Sequence, residues 1–127
     1  MIDLFNAIYD YYTTTPLASS LENLYNTEAP EDVEFPYGVF TLLSDVSDWT
    51  FTEEMENCLI QFNLFSKTVD TEEICTLFDL LITAFDFVDL DIDNYVCISA
   101  TRENSILTRP EKVWQYNITY RFLLGKE

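Results

Sequence analysis

The stretch Val113-Trp114-Gln115-Tyr116-Asn117-Ile118-Thr119-Tyr120-Arg121-Phe122-Leu123-Leu124 decides the fold. Trp114, Tyr116, Ile118, Tyr120, Phe122 and Leu124 share one parity, and Gln115, Asn117, Thr119 and Arg121 the other. Side chains of an extended chain alternate between two faces, so this is a strand with one apolar and one polar side. A sheet wet on one side is normally antiparallel, and its apolar side needs a cover.

Upstream, the same alternation recurs. Glu54 to Phe65 places Cys58, Ile60, Phe62 and Leu64 on one face and Asn57, Gln61 and Asn63 on the other. Tyr37 to Leu43 and Tyr95 to Thr101 are rich in aromatic and branched residues and read as strands. Asp45–Asp48 reads as a turn or long hairpin loop, and Arg102–Pro110 as a turn or loop. As loops between strands, these two are the segments expected to move on docking.

The cover is helical. Asp70-Thr71-Glu72-Glu73 has capping-box spacing, with Asp70 at the N-cap and Glu73 three residues on. The helix it opens aligns Ile74, Leu77, Phe78, Leu81, Ile82 and Phe85. A first helix runs from Met1 to about Tyr12 on Leu4, Phe5, Ile8, Tyr11 and Tyr12, with Asp3 favoured in its first turn. Thr13-Thr14-Thr15-Pro16 ends it, because branched residues before a proline prefer extended backbone. Leu21, Leu24 and Tyr25 fit a short strand or turn, and Glu28 to Glu34 form an acidic loop around Pro30. The expected fold is a single α+β domain over residues 1–127. It has two layers: a mainly antiparallel sheet of about four to five strands, and two main helices packed on one face.

Charge bounds the partners. Twenty-three acids against six bases give −17, and the first 66 residues carry no base. Such a chain lacks the cations that release counterions from nucleic acid, and anionic membrane surfaces are disfavoured for the same reason. Solubility and electrostatic steering account for part of the surplus. A basic partner, a DNA-mimicking surface or a wall that repels DNA are sharper readings. No apolar run reaches transmembrane length, and Met-Ile-Asp at the start lacks the basic region of a signal peptide. Cys58, Cys75 and Cys97 have no metal-type spacing and read as buried free thiols in a reducing compartment.

Enzyme chemistry finds little to work with. The chain has no histidine, which removes the commonest general base and metal ligand. Its two glycines, Gly38 and Gly125, cannot build a phosphate loop. Asp89-Leu90-Asp91-Ile92-Asp93-Asn94 begins like a calcium loop, but Asn94 stands where the turn needs Gly and Ala100 where the loop needs Glu. Asn117-Ile118-Thr119 matches a glycosylation sequon in the middle of a strand, where chance is the better account. Trp114, Tyr116 and Tyr120 read as a core stripe before a base-stacking platform, because basic neighbours are few. The chain is expected to be no enzyme and to need no cofactor or metal.

Three stretches in order resemble the phage tail terminator and tail-to-head joining proteins. Ala29-Pro30 followed by Phe35-Pro36-Tyr37-Gly38-Val39-Phe40 resembles that family's approach to its first long strand. Ile60-Gln61-Phe62-Asn63-Leu64-Phe65-Ser66 resembles its second strand, and Val113 to Phe122 its closing one. The resemblance implies a subunit of a ring, commonly a hexamer, that caps the tail tube and joins it to the head connector. It implies a virion neck position, assembly in the host cytoplasm, and DNA passing through the lumen without specific binding. It carries over no catalytic residue. The lumen or interface candidates are Glu28, Glu31, Asp32 and Glu34 of the acidic loop and Glu53, Glu54 and Glu56 of the next turn. Arg102, Arg109, Lys112 and Arg121 are the bases that would meet acids across a subunit interface. The alternative is an acidic DNA mimic that inhibits a DNA-binding protein.

Overall fold

The alternating C-terminal strand sits inside a six-stranded sheet, paired on both sides. The structure is a computed structural model and describes residues 2–49 and 54–127. Helices α1 (Ile2–Thr13) and α2 (Leu17–Ser20) come first, then strands β1 (Leu24–Asn26), β2 (Tyr37–Trp49) and β3 (Glu54–Ser66). Helix α3 (Glu72–Phe85) follows, then β4 (Asp91–Ile92), β5 (Tyr95–Thr108) and β6 (Trp114–Lys126). The sheet order is β1-β2-β3-β6-β5-β4. All neighbours are antiparallel except β1 and β2, which makes the sheet mixed.

The fold class follows the expectation, but the sheet is larger than four to five strands and a third, four-residue helix is present. One expected loop, and all of the other except Arg109 and Pro110, are strand. Asp45–Asp48 lies within β2, and Arg102 to Thr108 continues β5. The cause is the same in both. Register slips between Leu42 and Ser44, between Cys97 and Ser99, and between Arg102 and Asn104 mark β-bulges. A bulge inserts one residue and breaks the alternation, so polar residues beyond it read as a turn. Residues 50–53, with Glu53, lie outside the described residues.

The capping box is displaced. Thr71 is the N-cap of α3 and makes no side-chain cap bond. Asp70 still accepts from the Glu72 N–H (3.2 Å), while Glu73 is drawn away to accept from the buried Ser66 hydroxyl (2.6 Å). Helix α1 ends within the threonine run, at Thr13, but through turn hydrogen bonds of Thr14 and Thr15 and not through extended backbone. Thr13, Thr14 and Thr15 donate their hydroxyls to the carbonyls of Asp10, Tyr11 and Tyr12 at 2.6, 2.7 and 2.8 Å. The Tyr11 and Tyr12 carbonyls also accept from the Thr14 and Thr15 N–H groups, at 2.9 and 3.1 Å.

The helices cover one sheet face. Phe40, Cys58, Ile60, Phe62, Leu64, Ile118, Tyr120, Phe122 and Leu124 are buried there with Leu4, Ile8, Ile74, Leu77, Leu81 and Phe85. Phe62 is the hub: its ring centroid lies 4.8 Å from Phe85, 5.8 Å from Tyr120 and 6.2 Å from Phe40. Phe78 stacks on Tyr116 at 4.2 Å, and Tyr11 meets Phe85 edge-on at 5.3 Å. Gly38 is where β2 passes closest to leucine side chains. A Cβ there would lie 3.0 Å from Leu21, 3.1 Å from Leu24 and 3.2 Å from Leu64. Among the described residues the opposite sheet face carries no helix and presents Asn57, Gln61, Asn63, Gln115, Asn117 and Arg121.

Candidate assembly surfaces

The acidic residues singled out by the sequence occupy two separate places. Glu28, Glu31, Asp32 and Glu34 are exposed on the loop between β1 and β2. The loop is anchored where the Thr27 N–H donates to the Phe40 carbonyl (2.8 Å), and it folds onto the helix-free face. There it walls an open cleft with Tyr37, Val39, Asn63 and Phe65. Tyr37 stacks on Phe65 at 4.7 Å, and the Lys67 ammonium lies 4.5 Å over the Phe35 ring. Glu54 and Glu56 instead lie at the far end of β3, opposite Trp49 and Ser47 of β2. About ten strand residues separate the two groups, roughly 30 Å along the strand. One patch therefore cannot contain both.

At the far end, like charges crowd. Asp45 faces Cys58 across the hairpin, with the Cys58 thiol 3.6 Å from the Asp45 carboxylate. Burial and that carboxylate push the Cys58 thiol up to about 12, so it stays a neutral thiol. A hydrogen bond to Asp45 holds the Glu56 carboxyl above its ordinary value, with burial and the charges of Asp45 and Glu54 adding to it. Lys126 offsets part of this, lying 3.8 Å from Glu54. The folded chain thus binds the Glu56 proton more tightly than the unfolded chain. The resulting stability is fully present below the ordinary glutamate range and is lost as pH rises through the raised value. Glu56→Gln at pH 7 is expected to raise Tm by roughly 1–3 °C. Its stability should also gain less than the wild type's between pH 7 and pH 5. Parallel pH profiles for the two proteins in thermal melts would contradict this account.

The bases lie elsewhere and are partly committed. Arg102, on β5, lies 3.5 Å from Asp86 and 5.7 Å over the Phe78 ring. Arg121, on the helix-free face of β6, pairs with Glu103 and donates to Asn57 (2.5 Å). Arg109 stacks over Trp114 at 4.6 Å. Lys112 is exposed in the β5–β6 turn, where it and Glu111 take left-handed backbone (φ 67° and 50°). Two of the four bases expected to face acids on a neighbour, Arg102 and Arg121, therefore already have carboxylate partners within the chain. Sequence reading missed the Tyr120–Asp86–Arg102 contact because its members are far apart in sequence and share no local pattern.

The described residues place no three His, Cys, Asp or Glu side chains together where they could hold a metal ion. The Asp89–Asn94 segment forms β4 and a tight turn to β5, with Asn94 at φ 68°. Cys58, Cys75 and Cys97 are free thiols, with Cys75 only half-buried. Among the described residues no helix is long and apolar enough to cross a membrane.

No protein-family profile and no curated protein sequence matches the chain. Among solved structures, a chain described as "Virion of native gene transfer agent (GTA) particle" is similar, with a TM-score of 0.80 at 12% identity. The match covers 94% of this chain and 92% of that one. The two share a fold over nearly their whole lengths.

Proposed function

We propose that this chain is a structural protein of a virion, built into the neck as a ring that caps the tail tube and joins it to the head connector. The observation that carries the reading is the whole-length fold shared with a chain of a gene transfer agent virion. The order of the three motif stretches supports it independently. The Phe35–Phe40, Ile60–Ser66 and Val113–Phe122 stretches supply the start of β2 and most of β3 and β6, the strands that hold the sheet together. The ring is taken to be a hexamer, with the tail tube protein and the head connector as its axial partners. The chain does its work by binding proteins and carries out no catalysis.

The charge suits a conduit. DNA that slides through a ring must not be gripped, and carboxylates near the lumen repel its phosphates. The acidic loop Glu28–Glu34 and the acidic end of the β2–β3 hairpin lie at different levels along the strands. They would therefore line different heights of such a passage.

The test is removal of the gene from a particle-producing host, followed by electron microscopy. The expected result is filled heads without joined tails, together with tail tubes of unregulated length. Particles with normal, joined tails would overturn the reading. If the purified chain were instead a monomer that bound a nuclease or polymerase tightly and salt-sensitively, the DNA-mimic reading would replace it.

A further inference from the structure

The sheet ends in two open edges of similar length. On one side, β1 covers β2 only through Gly38, Val39 and Phe40, and the Thr27 N–H takes the Phe40 carbonyl. From Thr41 to Trp49 the outer edge of β2 has no backbone partner among the described residues. On the other side, β4 covers β5 only at Tyr95 and Val96, and the Phe87 N–H takes the Ala100 carbonyl (3.0 Å). From Thr101 to Thr108 the outer edge of β5 is likewise unpaired among the described residues. Exposed edges of this length are templates for pairing with another chain.

Bulges and charges normally blunt such edges, and both strands carry them near Leu42 and Arg102. Beyond its bulge β5 carries no such protection, while β2 keeps Asp45 and Asp48. Asn104-Ser105-Ile106-Leu107-Thr108 has no charge, no proline and an unbroken register with β6. Ser44 to Trp49 also keeps an unbroken register with β3. Exposed apolar side chains mark both runs: Leu43 (51%) and Val46 (60%) on β2, and Ile106 (53%) on β5. Val46 and Ile106 pair with Asn57 and Asn117, so both lie on the helix-free face.

Direction and charge fit one edge to the other. β2, β3, β6 and β5 are each antiparallel to the next, so β2 and β5 run in opposite senses. The open segments sit at opposite ends of the sheet: across it Thr41 is level with Asn104, and Ser44 with Thr101. Copies related by rotation about an axis inclined to the strands, as in a closed barrel, shift each β5 by about five residues, roughly 17 Å, and bring its open segment beside that of β2 in antiparallel sense. The segment from β1 to the end of β2 carries six acids and no base, while Arg109 and Lys112, with Glu111 between them, lie in the turn after β5; Arg102 and Glu103 on β5 are already paired within the chain.

We infer that copies of this chain join head to tail by pairing the Thr101–Thr108 edge of one with the Thr41–Trp49 edge of the next, continuing the sheet from subunit to subunit. The inference rests on the ring reading above. A contact between two different surfaces does not end at a dimer; it closes into a ring or runs on as a filament.

The test uses the full chain with one lysine placed on each edge, Val46→Lys and Ile106→Lys. Both sites are exposed, and thermal melts confirm that each variant folds; Leu43→Lys serves as a second β2 variant. By sedimentation and light scattering, the wild type is expected to assemble beyond a dimer and each lysine variant to remain monomeric. An equimolar mixture of the two variants should form a dimer and nothing larger, because only one good edge pair remains between them. An assembly that survives either lysine, or a mixture that stays monomeric, overturns this interface and leaves the ring reading standing. A wild type that is monomeric at millimolar concentration overturns both.

Discussion

Phe62→Ala is expected to destabilise the chain by about 3–5 kcal/mol, lowering Tm by about 10–20 °C. The side chain is fully buried at the centre of β3, with the rings of Phe40, Phe85 and Tyr120 around it. Truncation loses the transfer free energy of the ring and leaves a cavity. Its neighbours come from β2, α3 and β6, so no single element can move in to fill it. Gln61, the preceding residue, points to the helix-free face and makes a long hydrogen bond to Thr119 (3.4 Å). Gln61→Ala should therefore cost less than about 1 kcal/mol. Urea titrations of the two variants test the register of the sheet directly. Similar losses for both would mean that the parity read from Cys58, Ile60, Phe62 and Leu64 does not set the core.

That parity explains what the sequence could show. Where β3 and β6 run without a slip, every apolar residue from Cys58 to Leu64 and from Ile118 to Leu124 on the expected face is buried. Helix α3 was equally legible, because Ile74, Leu77, Leu81 and Phe85 meet that face at helical spacing. The misreadings fall where a long-range contact overrides local pattern. Bulges in β2 and β5 put Ser44-Asp45 and Arg102-Glu103-Asn104 into strands that alternation alone does not extend. Glu73 leaves its capping role because Ser66, seven residues earlier, needs a partner in the core. β4 has only two residues and exists through its pairing with Tyr95 and Val96. Of the candidate surfaces, the sequence identified the acidic segments and the bases as residues. It could not show that β2 holds the two acidic groups apart, or that Arg102 and Arg121 are already paired within the chain.

Asp86→Ala is expected to cost about 2–3 kcal/mol, although Asp86 is a partly exposed residue at a helix end. The reason lies in its partners. The Tyr120 hydroxyl donates to Asp86 at 2.5 Å from a side chain that is fully buried, and burial raises the phenol's pKa so that it stays protonated. Removing the carboxylate leaves that hydroxyl without an acceptor and Arg102 without its counter-charge. Tyr120→Phe should cost less, about 1 kcal/mol, because Asp86 keeps Arg102 and some contact with water. In the double variant no hydroxyl is stranded, so the two losses should fall short of additivity by about 1 kcal/mol. Additive losses, or an Asp86→Ala cost below about 0.5 kcal/mol, would show that the contact does no more than decorate the surface. The position also matters for assembly. Tyr120 pairs with Arg102 across β6 and β5, at the start of the β5 segment whose outer edge is open. The Tyr120–Asp86–Arg102 contact thus ties that segment to the end of α3. A variant lacking it should lose assembly at lower temperature than it loses its folded core, because the edge strand is released before the sheet behind it.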